Sequence, residues 1–529
     1  MVLRATRWAI AIVAVLLVLL AILAGTGSRT DKLRQLVIDT LAERLESDVQ
    51  LDAFSVDTFP TVHITGSNLI IRHKGRQDVP PLILVREFTL DGGLIGLLGR
   101  PKRFRTVSLA GLQINIPPGF KNKSDPAAPA PAAPAQGAPE QSVDRDPDDS
   151  PAAIVVDTLT AVDATLTLIP KRADKEPRVF AVHQLTMKPL GRAEQMSFEA
   201  TLTNPIPKGQ VKAAGTFGPW HRDDPGGTPV GGRYTFENAD LSTVNGIGGE
   251  LTSTGTFDGQ LDRIGVKGET RTPDFRVNVS ANPVPLDTRF EAVVDGTDGD
   301  TYLNAVSASF LKTSLTARGA IVGAEGVKGH AVRVHVKINE GRVEDVLRLG
   351  IRGNSPVLTG ALALHADLNL PAGPQDVMER LHLAGDFDVS GARFASKDVQ
   401  KKLSDLSERA RGLDPDEHDE TVASNFRAQF KLDRSVLSLR DTTFTIPGAV
   451  VQASGTYGLD TETLYFDGTV SMKATVSQAA GGGVKSALLK IIDPLFKRDH
   501  AGAVIPIKIR GTRNDPKYGL DFGRTFKRK

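Results

Sequence analysis

The feature that most limits what this chain can fold into is a two-residue alternation that persists for hundreds of positions. Val332, Val334, Val336 and Ile338 alternate with Arg333, His335 and Lys337. Leu362, Leu364, Ala366, Leu368 and Leu370 alternate with Ala363, His365, Asp367 and Asn369. Phe426 to Leu432, Leu464 to Val476 and Ile505 to Ile509 repeat the habit. A period of two sends successive side chains to opposite faces of a strand, so these segments predict antiparallel sheet with one dry and one wet face. Asn245-Gly246, Asp258-Gly259, Asp295-Gly296 and Asp467-Gly468 supply turn chemistry between them. A short unit also recurs, as Gly215-Thr216-Phe217, Gly255-Thr256-Phe257, Gly455-Thr456-Tyr457 and, more loosely, Gly385-Asp386-Phe387. Its spacing is irregular, which makes it a hairpin habit and not a solenoid period.

Residues 152–480 would hold roughly 27–40 strands at 8–12 residues per strand and turn. Open sheets rarely exceed ~10 strands without splitting or curling. Two architectures follow: about three β-sandwiches, or one long coiled sheet whose dry face lines an internal groove. Sandwich cores are anchored by large rings, yet only 29 of the 529 residues are Phe, Tyr or Trp. The dry face is mostly Val, Leu, Ile, Ala and Thr, a surface that suits acyl chains. The expectation is therefore a mainly β fold, a long coiled antiparallel sheet forming a groove, with Val332, Val334, Val336, Leu362, Leu364, Leu368 and Leu370 as candidate lining. The same residues would be equally at home in a closed core.

The N-terminus points to a membrane. Trp8 to Ser28 is a run of 21 uncharged residues, about 31 Å of helix and close to a bilayer's hydrocarbon thickness. Arg4 and Arg7 precede it, and Trp8 sits at its edge as an interfacial anchor would. No clean A-x-A site precedes the small residues Ala24 to Ser28, so a retained anchor is expected over a cleaved signal peptide. Residues 1–7 would then be a cytoplasmic tail, 8–28 the span, and the rest exported. Leu33, Val37, Leu41 and Leu45 form an amphipathic helical stripe beyond it, expected to pack on the first sheet.

Residues 117–151 hold 9 of the 32 prolines and cannot bury a core; 119–151 reads as a flexible linker. It divides an N-terminal β module, within 29–118, from a β body over 152–480. Val399, Leu403, Leu406 and Ala410 form a helical stripe ended by Gly412 and Pro415. Val484, Leu488, Ile491, Ile492 and Leu495 form another inside a C-terminal region, 481–529, that closes with further strands and a basic tail.

Composition excludes several chemistries. With no cysteine, there is no disulfide, thiolate or cysteine-ligated metal. Lys+Arg is 64 against Asp+Glu 62, a balance that gives nucleic acid no basic field. The ten histidines show no HExxH, and neither a phosphate-binding loop nor a G-x-S-x-G elbow is present. Asp295 to Asp300 is acidic but lacks the EF-hand order and reads as a turn. No catalytic residue, metal or cofactor is expected. Two basic groups are candidates for lipid head groups: Arg100, Lys102, Arg103 and Arg105, and the C-terminal Lys517, Arg524, Lys527, Arg528 and Lys529, for which a solvated tail is the plainer reading.

Several segments together resemble the AsmA family. They are Leu94-Ile95-Gly96-Leu97-Leu98, the basic step just named, Gly111-Leu112-Gln113-Ile114-Asn115-Ile116, the helix Leu406 to Gly412, and the closing Ile507 to Thr512 with Asp515-Pro516. The resemblance covers both ends of the chain and the middle only in style. It implies a bacterial inner-membrane protein with a periplasmic β-groove and a chorein-like N-terminal module, related to bridge-like lipid-transfer proteins. It also implies phospholipid as cargo, a role in lipid transport towards the outer membrane and in envelope integrity, and room for an outer-membrane or periplasmic protein partner at the C-terminal end. The alternative is a scaffold or assembly factor for outer-membrane proteins that carries no lipid.

Overall fold

The computed structural model describes residues 34–116, 154–474 and 503–520, apart from short segments within those ranges. The expected span at 8–28, the linker at 119–151 and the helix from Val484 to Leu495 lie outside the described residues. Among the described residues no helix is long and apolar enough to cross a membrane.

The chain is mainly β, and its strands join one long mixed sheet that is not closed into a barrel. It divides into two compact units. The first holds β1 (Ser47–Gln50), β2 (Ala53–Asp57), β3 (Val62–His73), β4 (Ile83–Gly92), β5 (Lys102–Ile116), β6 (Ile154–Leu168), β7 (Arg178–Lys188), β8 (Met196–Pro205) and β9 (Lys208–Phe217). β1 and β2 pair with successive halves of β3, and β3 with β4, β4 with β5. Helical residues between 34 and 42 bring Val37 and Leu41 into the same buried cluster as Ile64, Ile83, Phe88 and Phe104. Val37 and Leu41 of the expected stripe thus pack on the first sheet, while Leu33 and Leu45 lie outside the described residues. Arg34 fastens it by donating from Nη1 to the carbonyls of Leu51 and Asp52, at 3.2 and 2.9 Å.

One pairing departs from the all-antiparallel expectation: β5 and β6 run parallel, in register from Lys102↔Ile154 to Ile116↔Leu168. A hairpin cannot join parallel neighbours, which need a connection of a dozen or more residues; the stretch between β5 and β6 is long enough to be one. The break in composition at 117–151 is therefore not a break in strand pairing, since the strands on either side of it are neighbours.

The strands β10 (Pro229–Asp240), β11 (Ile247–Gly248), β12 (Glu250–Gln260) and β13 (Arg263–Val277) are shared out between the two units. The second unit contains β14 (Val284–Val294), β15 (Thr301–Phe310), β16 (Thr313–Gly323), β17 (His330–Arg342), β18 (Leu358–Leu370), β19 (His382–Phe394), β20 (Ser424–Asp433), β21 (Val436–Ile446), β22 (Ala449–Gly458), β23 (Thr463–Met472), β24 (Ala503–Thr512) and β25 (Pro516–Leu520). Sequence neighbours pair antiparallel throughout. Among the described residues three helices interrupt the meander: α1 (Val343–Gly350), α2 (Val377–Arg380) and α3 (Lys397–Arg411). α3 contains the stripe expected from Val399 to Ala410.

Candidate functional site

Antiparallel register turns the sequence alternation into rows that cross the strands. Val334 faces Leu368, Leu368 faces Leu383, Leu383 faces Leu432 and Leu432 faces Leu437. The row continues through Tyr457 and Leu464, and starts at Leu303 and Gly319. A second row, two residues along each strand except at the irregularity in β15, where it is three, runs from Val306 and Ala317 through Val336, Ala366 and Gly385 to Phe430, then on to Phe466 and Ile509. From β15 to β24 there are nine strand-to-strand steps, about 43 Å at ~4.8 Å each. No charged side chain enters either row.

These side chains are only half-buried. Val334, Leu368, Leu383, Leu437, Tyr457 and Leu464 all keep appreciable exposure, and Leu432 is the exception in its row. The strand ends near α1 and α3 behave differently. There Ile338, Leu362, Val389, Ala392, Ile446 and Met472 are buried, under Val343 and Leu347 of α1 and Leu406 and Ala410 of α3, and Phe310 is buried at the end of β15. Phe387 and Phe426 stack edge-on at 5.0 Å where that sealed zone begins, and Phe426 meets Phe444 at 6.1 Å.

The candidate lining residues therefore divide. Val332, Val334 and Val336 face Leu370, Leu368 and Ala366 directly across the β17–β18 ladder, all half-buried on one face. Leu364 faces Phe387 and packs against the sealed zone. Leu362 is 4% exposed and lies within that zone, beside α1. The reason is position along the strand: Leu362 is four residues from the start of β18, where α1 crosses.

The opposite face is wet and self-neutralising. His335 pairs with Asp367, His365 with Asp386 and His382 with Asp433, each directly across a ladder. Arg289 meets Glu269 at 2.9 Å and Lys267 meets Glu291 at 3.0 Å. Among the described residues no group of three His, Asp or Glu side chains is placed to hold a metal. Asp300, from the acidic turn, accepts the amide of Gly323 and so serves a loop. In the basic step, Arg103 is tied to Asp157 of β6 at 2.7 Å, Arg105 is exposed, and the side chains of Arg100 and Lys102 lie outside the described residues, as do those of Arg524, Lys527, Arg528 and Lys529.

The structure also gives the recurring Gly-x-aromatic unit a physical role that sequence reasoning missed. Gly385 sits opposite Phe430, and Gly455 opposite Phe466. A Cβ at Gly385 would run into the carbonyl of His365, and one at Gly455 into that of Tyr465. The strands approach so closely there that only glycine fits, and at Gly455 the ring of Phe466 also occupies the space a side chain would take. The signal was present, as a glycine two residues before an aromatic on one face, but the partner ring lies on another strand.

No family model, no curated protein and no solved structure matches this chain.

Proposed function

We propose that this chain holds phospholipid acyl chains on the half-buried apolar rows of β15–β24, used as an open β-groove. In this reading it is anchored in a bacterial inner membrane by residues 8–28, with the bulk of the chain in the periplasm. There it supports lipid movement towards the outer membrane and envelope integrity. The observation that carries the reading is the pair of uncharged, half-buried rows crossing nine and ten strands without a covering layer among the described residues. Soluble monomers rarely expose a contiguous apolar surface of this extent. The AsmA-like segments and the N-terminal apolar run agree with it.

The mechanism is non-catalytic. Seating an acyl chain gains roughly 0.8 kcal/mol per buried CH₂. Because neighbouring positions along a row are chemically alike, displacement by one strand exchanges like contacts for like, and the barrier to sliding stays low. Any driving force comes from outside the chain, and a periplasmic or outer-membrane partner would receive the lipid.

The test is in-cell photocrosslinking with the full chain. A photoreactive side chain at Leu368 should capture phospholipid, while one at the outward-facing Asp367 should not. Equal capture at the two, or none at Leu368, overturns lipid binding and leaves a cargo-free scaffold.

A further inference from the structure

The two borders of the apolar face in the second unit are built differently. At one border lie α1, α3 and the β15–β16 and β21–β22 turns; at the other lie the connections β16–β17, β20–β21 and β22–β23 and the short α2. From β15 to β24, the fully buried apolar strand residues gather at the first border, with Ala428 and Leu432 the exceptions. At the second border apolar side chains stay half-buried on the face, and Val327 and Leu459 in its loops are 42% and 37% exposed.

The helices at the first border are fixed in place. Asp345, 6% exposed in the first turn of α1, accepts from the amide of Lys312 at 2.9 Å and the hydroxyl of Thr313 at 2.8 Å. Asn282 donates from Nδ2 to the carbonyls of Arg348 and Ile351, holding the other end of α1 at 2.9 and 2.8 Å. In α3, the buried Gln400 accepts from the amide of Phe394 and donates to the carbonyl of Val422, and Ser407 donates to the carbonyl of Pro447. Swinging either helix away would strand these buried polar groups, at about 1–3 kcal/mol for each.

We infer that a bound lipid lies one way round: its acyl chains lie on the open rows with their ends towards the fixed wall of α1 and α3, and its polar head emerges at the hairpin border marked by Ser435 and Leu459. This rests on the lipid-groove reading and adds an orientation to it. A polar head cannot be seated at the wall without dehydrating against Val343, Ile446 and Met472, which are 7%, 3% and 6% exposed. At the hairpin border water reaches the face directly.

The absence of cysteine makes the test clean. Single cysteines are placed at Ser435 and Leu459 on the hairpin border, and at Leu311 and Val399 near the wall; the last two are 44% and 39% exposed. The full-length protein is incubated with vesicles of phosphatidylglycerol and phosphatidylethanolamine in which a fraction of the latter carries a maleimide on its head group. Labelling is normalised to a water-soluble maleimide. At least a five-fold excess at Ser435 and Leu459 is expected, and equal labelling of both borders, or an excess near the wall, overturns the orientation. A parallel sample with a diazirine on the acyl terminus reports capture on peptides containing Leu368, independent of head-group position. Failure of that capture defeats the groove itself, whereas capture with no border preference defeats only the orientation.

Discussion

The N-terminal cluster of the first unit and the β15–β24 face of the second are written in the same alternating code and end up in opposite states. In the first, Ile64, Leu69, Ile71, Ile83 and Phe104 have no exposed surface. In the second, a row of comparable Leu and Val residues remains half-buried. The difference is a cover. Val37 and Leu41 close the first cluster, together with the rings of Phe54, Phe88 and Phe104. On β15–β24 the helices, among the described residues, cover one border only. Alternation fixes which side chains share a face; it says nothing about whether another element pays to bury that face.

The largest effects should separate the two regions most sharply. Phe104→Ala empties a fully buried site and is expected to destabilise the first unit by about 3–5 kcal/mol, read by chemical denaturation. Leu383→Ala, on the open row, should cost only about 1 kcal/mol, because much of its surface is already in water. A charge widens the gap: Ile64→Glu should prevent folding, as an unpaired buried carboxylate does, while Leu383→Glu should fold. Leu383→Glu should also lower the phospholipid recovered per protein several-fold in native mass spectrometry. If Leu383→Glu fails to fold as Ile64→Glu does, the face is a sealed core and the contrast collapses.

An intermediate effect is expected at the wall. Asp345→Ala leaves the Lys312 amide and the Thr313 hydroxyl without their acceptor, at about 1–3 kcal/mol. Asp345→Asn keeps an acceptor oxygen and should fall between wild type and alanine. Hydrogen exchange at Lys312 reads this locally, and unchanged protection in Asp345→Ala would mean that α1 is held by its apolar contacts alone.

Much of the strand content and of the dry face was legible in the sequence, because register and face follow from a period of two once neighbours pair in order. Val332, Val334 and Val336 were placed together by their spacing alone, and they do face Leu370, Leu368 and Ala366. What the spacing could not carry was depth. Leu362 and Leu368 are equivalent letters in one alternating run, yet one lies beside α1 and the other in the open, because α1 comes from residues outside the run. The parallel β5–β6 pairing was hidden for a related reason: the 117–151 stretch reads as a separator, and only the pairing of Lys102 with Ile154 reveals that it joins neighbours. The Gly-x-aromatic units were visible as a recurrence, but their purpose depends on neighbouring strands, on the carbonyls of His365 and Tyr465 and the ring of Phe466.

The smallest effect is expected on the wet face, which is charged and solvated. Arg289 and Glu269 are 2.9 Å apart, with side chains 78% and 64% exposed. An exposed pair gains little because water screens the attraction and two long side chains lose freedom in meeting. Arg289→Ala should therefore shift stability by no more than about 0.5–1 kcal/mol, and its coupling to Glu269→Ala in a double-mutant cycle should fade in high salt. It should leave lipid recovery unchanged. A coupling that is larger and insensitive to salt would mean this face is covered by something in the working protein, and the assignment of dry and wet faces as open and solvated would have to be reversed.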